Sequence, residues 1–436
     1  MTPQPSWPAR ALAAFPAGSN GEFGLPPELV PVLERGLGCR VWDSGGREFL
    51  DMTMAWGAAL VGHAHPKVIE AASRQAASGA NFAAVNTRSV ELAERLRVLS
   101  PCAEQVRFVA SGTEATMLCL RVAQAATGRP KVLKFEGAYH GQHPVGVTSL
   151  LNGRPTTLPQ SDPSGAGASW VERDVLVAPF NDLEATTRIL REHASDLAAV
   201  IVEPLHRCLM PVPGFLAGLR AETERHGIAL IFDEVVTGFR LALGGAQEYY
   251  GVVPDLVAYG KALGGGFPIG AYAGRAALMD VVNEHRLPGP GYAWSASTGG
   301  GNPVSCAAAL ATIELLSEPG VYPGLHNAGA RLRQLVATAL GAAGEPAQVL
   351  GDGPLAQVAF SATPVTDQRS WLASDRKRGR ALMLELFRSG VFLNPMGTKL
   401  YLSLAHDDSA LYEFAERFAR ALKITRAAGR PEQASA

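Results

Sequence analysis

The sequence contains few cysteines, almost no net charge and no long apolar run. Its five cysteines are scattered over 436 residues without a paired spacing, which indicates small buried side chains in a reducing compartment rather than a disulfide framework. The formal net charge of -1 gives no electrostatic argument for binding nucleic acid or an anionic membrane surface. No apolar span is long enough to cross a bilayer, and residues 1–8 lack the basic start and apolar core of a secretory signal. We therefore expect a soluble cytoplasmic protein.

The chain does contain a repeated alternation of short apolar runs and segments of helical spacing. With 47% hydrophobic residues it is long enough to bury a large core, and more than one domain is expected. Strands that alternate with helices predict a largely parallel sheet covered on both faces. The strands of this sheet are predicted at residues 105–110, 131–135, 174–180, 198–202, 228–232 and 256–259.

The predicted fold class is α/β, with a large domain over residues 61–310. Residues 1–60 contain a hairpin signal, and residues 311–436 alternate helical and strand-like segments, so these two parts are predicted to form a smaller α+β domain together. Residues 152–169 are rich in Gly, Pro, Ser and Thr and lack an apolar period. Such a segment is predicted to be a lid, a binding loop or disordered.

One lysine follows the predicted strand 256–259. Lys261 lies where this strand gives way to a loop, which in α/β sheets is the ligand-facing edge, and four glycines follow closely. Glycines let the backbone approach a bound group without Cβ clashes. A lysine in such a place is a candidate Schiff-base nucleophile, because its amine can be desolvated and activated. The alternative is a solvated lysine beside a flexible turn.

Two glycine-containing loops that carry hydroxyl groups precede predicted helices. Ser111-Gly112-Thr113 lies between a strand and a helix, where unpaired amides and two hydroxyls form a ready anion site. Hydrogen bonds to a charged group contribute roughly 1.5–3 kcal/mol each and the helix dipole only about 0.3–1 kcal/mol, so the direct donors dominate. Thr298 begins a second such loop. An ordinary N-cap and an ordinary turn are the alternative interpretations.

Polar residues follow three successive predicted strands. Asp233 and Glu234 end one strand, Glu203 ends the strand before it, and Asn181 follows the strand before that. A buried carboxylate needs a partner, because burying an unpaired charge is costly. For Asp233 the protonated ring nitrogen of a pyridine cofactor is one suitable partner, and an ordinary salt bridge is the alternative. Polar groups at successive strand ends indicate a single cleft.

Aromatic and histidine residues add two further signals. Tyr139-His140-Gly141 follows the predicted strand 131–135, and its rings are suited either to covering the face of a flat cofactor or to core packing. His63 and His65 lie two residues apart. Without further ligands this pair predicts polar packing rather than a metal site, so no metal is expected.

Together these residues resemble the fold type I pyridoxal-phosphate enzymes, and specifically the class III aminotransferases near the glutamate-1-semialdehyde aminomutase branch. The resemblance covers about residues 42–406 and implies the fold of that group and pyridoxal 5'-phosphate as cofactor. It rests on short motifs in the family's order: Trp56-Gly57, Gly62-His63-Ala64-His65-Pro66, Ser111-Gly112-Thr113-Glu114-Ala115, Tyr139-His140-Gly141, Asn181-Asp182, Glu203-Pro204, Phe232-Asp233-Glu234-Val235, Gly260-Lys261, Gly264-Gly265-Gly266 and Gly301-Asn302-Pro303.

The resemblance also implies roles at the cofactor ring. Lys261 forms the internal aldimine and later carries a proton between the substrate carbon and the cofactor. Asp233 pairs with the pyridinium nitrogen, and Asn181 orients Asp233. Tyr139 covers one face of the ring and Val235 the other.

At the cofactor phosphate, the resemblance implies binding by Gly112 and Thr113, together with Ser111. Glu203 is placed near the phenolic oxygen of the cofactor. Thr298 matches a position that reaches the phosphate of the neighbouring subunit, which implies a homodimer with shared active sites.

The sequence departs from the family pattern where a substrate carboxylate is held. An arginine usually follows a Gly-x-Asn, but the four residues after Gly18-Ser19-Asn20 include Glu22 and no arginine. Residues 394–401 lack both the glutamate of the aminomutase and the arginine of some β-amino-acid transaminases, and they leave Lys399 as the nearest cation. These departures argue against glutamate-1-semialdehyde, because Lys and Arg are not equivalent for carboxylates. The candidate substrate residues are Glu22, Trp56, Arg88, Arg207 and Lys399.

We therefore predict an aminotransferase that moves an amino group between an amine or amino acid and a keto acid or aldehyde. An intramolecular aminomutase with the same cofactor is the alternative, and a catalytically silent binding relative is a third interpretation. A dinucleotide oxidoreductase disagrees with residues 264–270, which lack a G-x-G-x-x-G spacing at the start of a helix.

Overall fold

The computed structural model describes residues 5–20, 24–150, 155–162, 173–287, 289, 291–393 and 399–428. The chain divides into two compact units. The first, here called the terminal unit, is formed by Met1–His65, Pro323–Val365 and Ala373–Ala436. The second, here called the central unit, is formed by Pro66–Tyr322 and Thr366–Leu372. The predicted division, with a large domain over residues 61–310 and a smaller domain formed by residues 1–60 and 311–436, stays a prediction.

The described strands and helices alternate along most of the central unit. The strands are β1 (Leu33–Leu37), β2 (Arg40–Asp43), β3 (Glu48–Asp51), β4 (Gln105–Val109), β5 (Lys131–Phe135), β6 (Val175–Ala178), β7 (Leu197–Val202), β8 (Ala229–Asp233), β9 (Leu256–Tyr259), β10 (Gly270–Gly274), β11 (Gln348–Leu350), β12 (Leu355–Ala359), β13 (Val391–Phe392) and β14 (Lys399–Tyr401). The longer helices are Trp7–Ala14, Pro66–Ala76, Thr87–Leu99, Gly112–Thr127, Leu183–Glu192, Phe215–Arg225, Pro303–Leu316, Val321–Ala342, Arg376–Arg388 and Asp408–Ala428, and the shorter ones are Pro144–Val147, Gly245–Tyr250, Ala276–Met279 and Gln368–Leu372.

The described part of the central unit contains a seven-stranded sheet in the order β4-β10-β9-β8-β7-β5-β6. The strands from β6 to β9 pair in parallel. Every residue of β7, β8 and β9 is buried, which is why these strands read as continuous runs of apolar residues rather than alternating ones. The predicted α/β fold with a mainly parallel sheet is confirmed.

Strand β10 was not among the predicted strands. It pairs antiparallel with both β9 and β4, so it makes the sheet mixed. Its sequence, Gly-Ala-Tyr-Ala-Gly, lacks the β-branched residues that favour strands. A Cβ atom on Gly270 would clash with the carbonyl oxygen of Ser111, so the small residue is required where β10 passes the segment before the Gly112–Thr127 helix.

The terminal unit contains two smaller sheets within its described residues, β1-β2-β3-β13 and β11-β12-β14. After β3, the residues Met54, Ala55 and Trp56 have φ values of 47°, 52° and 58°. Three consecutive non-glycine residues therefore form a left-handed turn, at a cost of roughly 1–2 kcal/mol each. Two hydrogen bonds hold its start, because Asp51 Oδ1 accepts from the backbone amides of Thr53 and Met54 at 2.7 and 2.9 Å.

His63 lies in the same unit and bonds to Asp51, with 2.7 Å between Nε2 and Oδ2. In the part of the chain that the structure describes, no single helix is long and apolar enough to cross a membrane; the consecutive helices Pro303–Leu316 and Val321–Ala342 pass that test only as a broken pair. Most of the segment 152–169, predicted as a lid, a binding loop or disordered, lies outside the described residues.

Candidate active site

The predicted site residues lie at one edge of the central sheet. Because β5, β7, β8 and β9 are parallel, their carboxyl ends share an edge. Tyr139 follows β5, Glu203 follows β7, Asp233 ends β8 and Lys261 follows β9. These four residues therefore lie at the sheet edge where the sequence predicts them.

Lys261 has a left-handed backbone, with φ of 44°. It begins a short 3-10 helix, Lys261–Gly264, directly after β9 and Gly260. A left-handed conformation is rare for a residue with a long side chain, and strained residues of this kind cluster at functional sites. The strain supports the choice of Lys261 as the reactive lysine.

Three segments meet beside Lys261. A Cβ atom on Gly260 would lie 3.3 Å from Gly112 Cα and 3.4 Å from Val235 Cγ1. A Cβ atom on Gly112 would lie 2.7 Å from Val235 Cγ1, closer than real Cβ contacts. Gly260, Gly112 and Val235 are thus in contact. The fold therefore brings together the residue before Lys261, the start of the Gly112–Thr127 helix and the segment after Asp233.

Asp233 is buried and is held by two hydrogen bonds. His140 Nδ1 donates to Oδ2 at 2.8 Å, and the amide of Val235 donates to Oδ1 at 3.1 Å. His140 is also buried, and its Nε2 has no partner among the described residues. The two donors therefore hold the Asp233 carboxylate in one orientation, which suits a group that pairs with a protonated ring nitrogen.

Asn181 does not supply this contact, contrary to the role predicted for it. Its side-chain amide donates to the carbonyl oxygens of Met210 and Thr366, both at 2.9 Å, and its Oδ1 accepts from the amide of Val212 at 2.9 Å. The orienting partner of Asp233 is His140. This histidine belongs to the Tyr139-His140-Gly141 motif, for which the sequence predicts either stacking on a flat cofactor or core packing.

The predicted phosphate site is the N-terminus of the helix Gly112–Thr127. Ser111 is its N-cap, and its Oγ accepts from the amide of Glu114 at 3.2 Å. The amides of Gly112 and Thr113 have no hydrogen-bond partner among the described residues. Two unpaired amides at the start of a 16-residue helix fit a phosphate, because these donors form the positive end of the helix dipole. The Ser111 hydroxyl is occupied by capping, so Gly112 and Thr113 are the better donors.

Tyr139 is half-buried and packs close to this helix start. Burial raises the pKa of its hydroxyl above the usual value, while a hydrogen bond with the Thr113 side chain acts in the opposite direction. The following Gly141 approaches Thr113 so closely that a Cβ atom there would lie 2.8 Å from Thr113 Cα. The segment that carries Tyr139 and His140 is therefore fixed against the predicted phosphate site.

Glu203 holds the segment that carries Tyr139, and Lys134 holds the turn that follows it. Glu203 Oε1 accepts from the amide of Tyr139 at 3.1 Å. Lys134 is fully buried and donates to the carbonyl oxygens of residues 145, 146 and 148 at 3.2, 3.0 and 2.7 Å. Burial lowers the pKa of Lys134 to about 7. The backbone contact of Glu203 gives it a positioning role in addition to its predicted place near the cofactor.

The other predicted cofactor and substrate residues lie in different parts of the chain. The carbonyl oxygen of Thr298 accepts from Asn81 at 2.8 Å, and its predicted reach into a neighbouring subunit stays a prediction. Arg88 is exposed and pairs with Glu91 at 2.8 Å. Trp56, in the left-handed turn, and Lys399, buried in β14 with Nζ 4.9 Å from the Tyr401 ring, belong to the terminal unit. Glu22 lies outside the described residues.

A family model now identifies this arrangement. The model for class III aminotransferases matches residues 26–422. The chain belongs to the class III aminotransferases. Enzymes of this family use pyridoxal phosphate, so the family and cofactor predicted from the sequence are confirmed.

Relatives and solved structures agree with this family. The chain is 40% identical over 395 residues to glutamate-1-semialdehyde 2,1-aminomutase 2 of Brevibacillus brevis, covering 90% of both chains. It is 41% identical to glutamate-1-semialdehyde 2,1-aminomutase of Thermomicrobium roseum, covering 95% of this chain and 96% of the relative. An ω-transaminase from Sphaerobacter thermophilus has a TM-score of 0.90 and 36% identity, covering 96% and 97% of the two chains. A transaminase with pyridoxal phosphate bound has a TM-score of 0.88 and 31% identity, covering 98% of each chain.

Proposed function

We propose that this class III aminotransferase moves amino groups with pyridoxal phosphate held at Lys261, and that the transfer is intramolecular, as in an aminomutase of the glutamate-1-semialdehyde type. The contact of Gly260 with Gly112 and Val235 carries the proposal, because it joins the lysine, the phosphate site and the Asp233 segment. Both relatives described above are named as that aminomutase, which supports the intramolecular version. The alternative in the sequence prediction is thus better supported than the aminotransferase that stood first.

Each residue of the site has a proposed role that follows from its position. Bound pyridoxal phosphate supplies an aldehyde that condenses with amines and an electron sink for the carbon that carries the amino group. The Lys261 amine would hold the cofactor and move the proton, since the residue before it contacts Gly112 at the predicted phosphate site. Asp233, fixed by His140, would keep the ring nitrogen protonated, and the amides of Gly112 and Thr113 would hold the phosphate. Tyr139 and Val235 would cover the ring.

Transfer between two molecules is the second candidate. It is supported by the TM-score of 0.90 with an ω-transaminase and by the missing arginine after Gly18-Ser19-Asn20. An aminotransferase releases one carbonyl product for each amine donor that it consumes, whereas an aminomutase returns an isomer of its substrate. Incubation with glutamate-1-semialdehyde alone, and separately with amine donors plus keto acids, distinguishes them by product analysis. Isomer without keto acid supports the aminomutase; equimolar keto acid and amine products overturn it in favour of the second candidate.

The lysine is tested by substitution. Lys261→Ala is expected to lose covalent cofactor attachment and to slow turnover by roughly 10²–10⁴-fold, because both the attachment and the proton carrier are removed. Borohydride reduction followed by peptide mass analysis measures attachment directly. Lys67→Ala is the control, since Lys67 is exposed and pairs with Glu318 at 3.2 Å. Normal turnover by Lys261→Ala contradicts the proposal.

The proposal includes a homodimer in which Thr298 contacts the phosphate of the neighbouring subunit, and a cytoplasmic location. The family resemblance of the sequence supports the dimer. Light scattering measures its mass, and Thr298→Ala is expected to weaken cofactor binding without changing that mass.

A further inference from the structure

Lys134 is a charged residue at a fully buried position of β5. Such a position normally holds an apolar residue, as on either side at Leu133 and Phe135, because burying an unpaired charge is costly. Burial lowers the pKa of Lys134 to about 7, the charge of Arg207 acts in the same direction, and the charge of Glu203 acts in the opposite one. The N–H donors of Lys134 therefore need acceptors inside the protein.

The acceptors are backbone carbonyl oxygens of residues 144–148, here called the 144–148 turn. Lys134 Nζ donates to the carbonyl oxygens of Val145, Gly146 and Thr148 at 3.2, 3.0 and 2.7 Å. An ammonium group has three N–H donors and a neutral amine has two, so only the ammonium form satisfies all three oxygens. The charge of Lys134 is thus used to hold the turn. The Arg207 guanidinium lies apart from it and donates to the carbonyl oxygen of Gly137 at 3.4 and 3.2 Å.

The 144–148 turn also holds the backbone of His140. The carbonyl oxygen of Gly146 accepts both from Lys134 Nζ at 3.0 Å and from the His140 amide at 3.2 Å. The turn fits closely, because a Cβ atom on Gly146 would lie only 2.4 Å from the carbonyl oxygen of Gly141. His140 Nδ1 in turn donates to Asp233 Oδ2 at 2.8 Å. A single carbonyl oxygen therefore connects Lys134 to the residue that orients Asp233.

We propose that Lys134 is a positioning residue for the cofactor ring: its ammonium group holds the 144–148 turn, and through His140 it keeps Asp233 aimed at the ring nitrogen. This inference rests on the proposed function and adds a residue to the same site. Lys134 acts through His140 and not on the cofactor itself, because its three hydrogen bonds go to the turn. Its removal is expected to weaken the pairing with the ring nitrogen more than the hold on the phosphate.

The test compares two ligands that differ only at the ring nitrogen. Pyridoxal phosphate has this nitrogen, whereas 1-deazapyridoxal phosphate has a C–H group in its place and cannot pair with Asp233. Absorbance titration of the cofactor-free protein below pH 7, where Lys134 carries its charge, gives a dissociation constant for each ligand. Lys134→Met is expected to weaken the binding of pyridoxal phosphate about 10-fold, because it removes the donors that fix the turn. The binding of 1-deazapyridoxal phosphate is expected to change less than about twofold.

Further variants keep the result interpretable if Lys134→Met folds poorly. Lys134→Gln keeps two N–H donors, and its affinity for pyridoxal phosphate is expected to lie between those of the wild type and Lys134→Met. Gly146→Ala leaves the lysine in place but displaces the turn from Gly141, so it is expected to reproduce the selective loss. Lys131→Met is the control, since Lys131 begins the same strand and pairs with Asp196 at 2.6 Å; both dissociation constants are expected to stay unchanged.

A double variant separates positioning from a general loss of stability. In the His140→Phe background, Lys134→Met is expected to cause no further selective loss, because the link to Asp233 is already broken. The inference is overturned by equal losses with the two ligands, by no loss with either, or by an undiminished effect of Lys134→Met in that background. A wild type that binds the two ligands equally, or that does not carry pyridoxal phosphate on Lys261, overturns the proposed function instead.

Discussion

At the scale of single residues, the pair His140 and Asp233 shows how the chain prepares a charged group for a ligand. The hydrogen bond between them has one direction, because the Asp233 carboxylate can only accept and His140 Nδ1 must donate. Both side chains are buried, so the bond is little screened by water. The carboxylate therefore keeps one orientation.

Replacing His140 tests this pairing. His140→Phe preserves the ring but leaves Asp233 without its donor, and we expect the cofactor-free protein to lose about 1.5–3 kcal/mol of unfolding free energy. A double-mutant cycle with Asp233→Ala, followed by urea denaturation, isolates the interaction. His285→Phe is the control, since His285 is exposed and far along the chain from the site. Additive effects of the His140 and Asp233 changes would show that the pair is not coupled.

The positions of single residues in the fold could be predicted from the sequence where a local signal existed. Lys261 and Asp233 stand at the ends of apolar runs, and strand ends are positions at which ligand-facing residues are expected. The partner of Asp233 was mistaken because His140 lies 93 residues away in sequence and their spacing carries no periodic signal. The left-handed backbone of Lys261 was likewise not predictable, since φ follows from tertiary packing.

At the scale of elements, the residue at the start of the Gly112–Thr127 helix is determined by the space available to its side chain rather than by helix propensity. Gly112 is a poor helix former, yet an alanine there would press against Val235. We expect Gly112→Ala to lower the unfolding free energy of the cofactor-free protein by about 1–3 kcal/mol through overpacking. Urea denaturation measures the change.

Val235→Ala supplies the matched second change, because it removes the two Cγ atoms that a Cβ on Gly112 would meet at 2.7 and 2.8 Å. The double variant is expected to lose less than the sum of the two single variants. Gly341→Ala is the control: nothing lies within 4 Å of a Cβ atom at this helical glycine, so it is expected to gain roughly 0.5–1 kcal/mol. A loss at Gly112 that Val235→Ala does not reduce would contradict the steric explanation.

Element prediction depended on how strongly composition marks each strand. β7 reads Leu-Ala-Ala-Val-Ile-Val, and such runs were found because they are buried on both faces. β10 was missed because Gly270 is required by the close approach of the Ser111 backbone, a constraint that comes from a distant segment. The same tertiary origin explains why the contact between Gly260, Gly112 and Val235 was not predictable.

At the scale of the whole molecule, buried histidines set the response to acid. Burial lowers the pKa values of His143, His206 and His406 to about 4 each. Their unfolded-state pKa is about 6.5, so the unfolded chain binds more protons between pH 6.5 and 4, and stability falls as the pH falls through that range. Burial raises the pKa of Glu234 to about 7, which adds stability as the pH falls from 7 to about 4.5 and offsets part of the loss.

We expect the melting temperature to fall by about 5 °C or more between pH 7 and pH 5. Over this range the three histidines lower the stability, and only the shift of Glu234 raises it. His206 allows a direct check: it stacks on Phe180 with 4.9 Å between ring centroids, and neither ring nitrogen has a partner among the described residues. His206→Phe is expected to raise the melting temperature more at pH 5 than at pH 7. Parallel pH curves for the wild type and His206→Phe would contradict this account.

The left-handed turn from Met54 to Trp56 has a consequence for chemistry at the α-carbon. Over these residues the backbone winds with the hand natural to D-amino acids, whose Cβ atoms would avoid the following carbonyl oxygens. An enantiomeric alanine at position 55 would therefore relax a turn that the natural L-alanine strains, whereas valine, isoleucine or threonine would fit it worst. Trp56 is thus carried on a stretch of backbone whose dihedral angles are those that D-amino acids prefer.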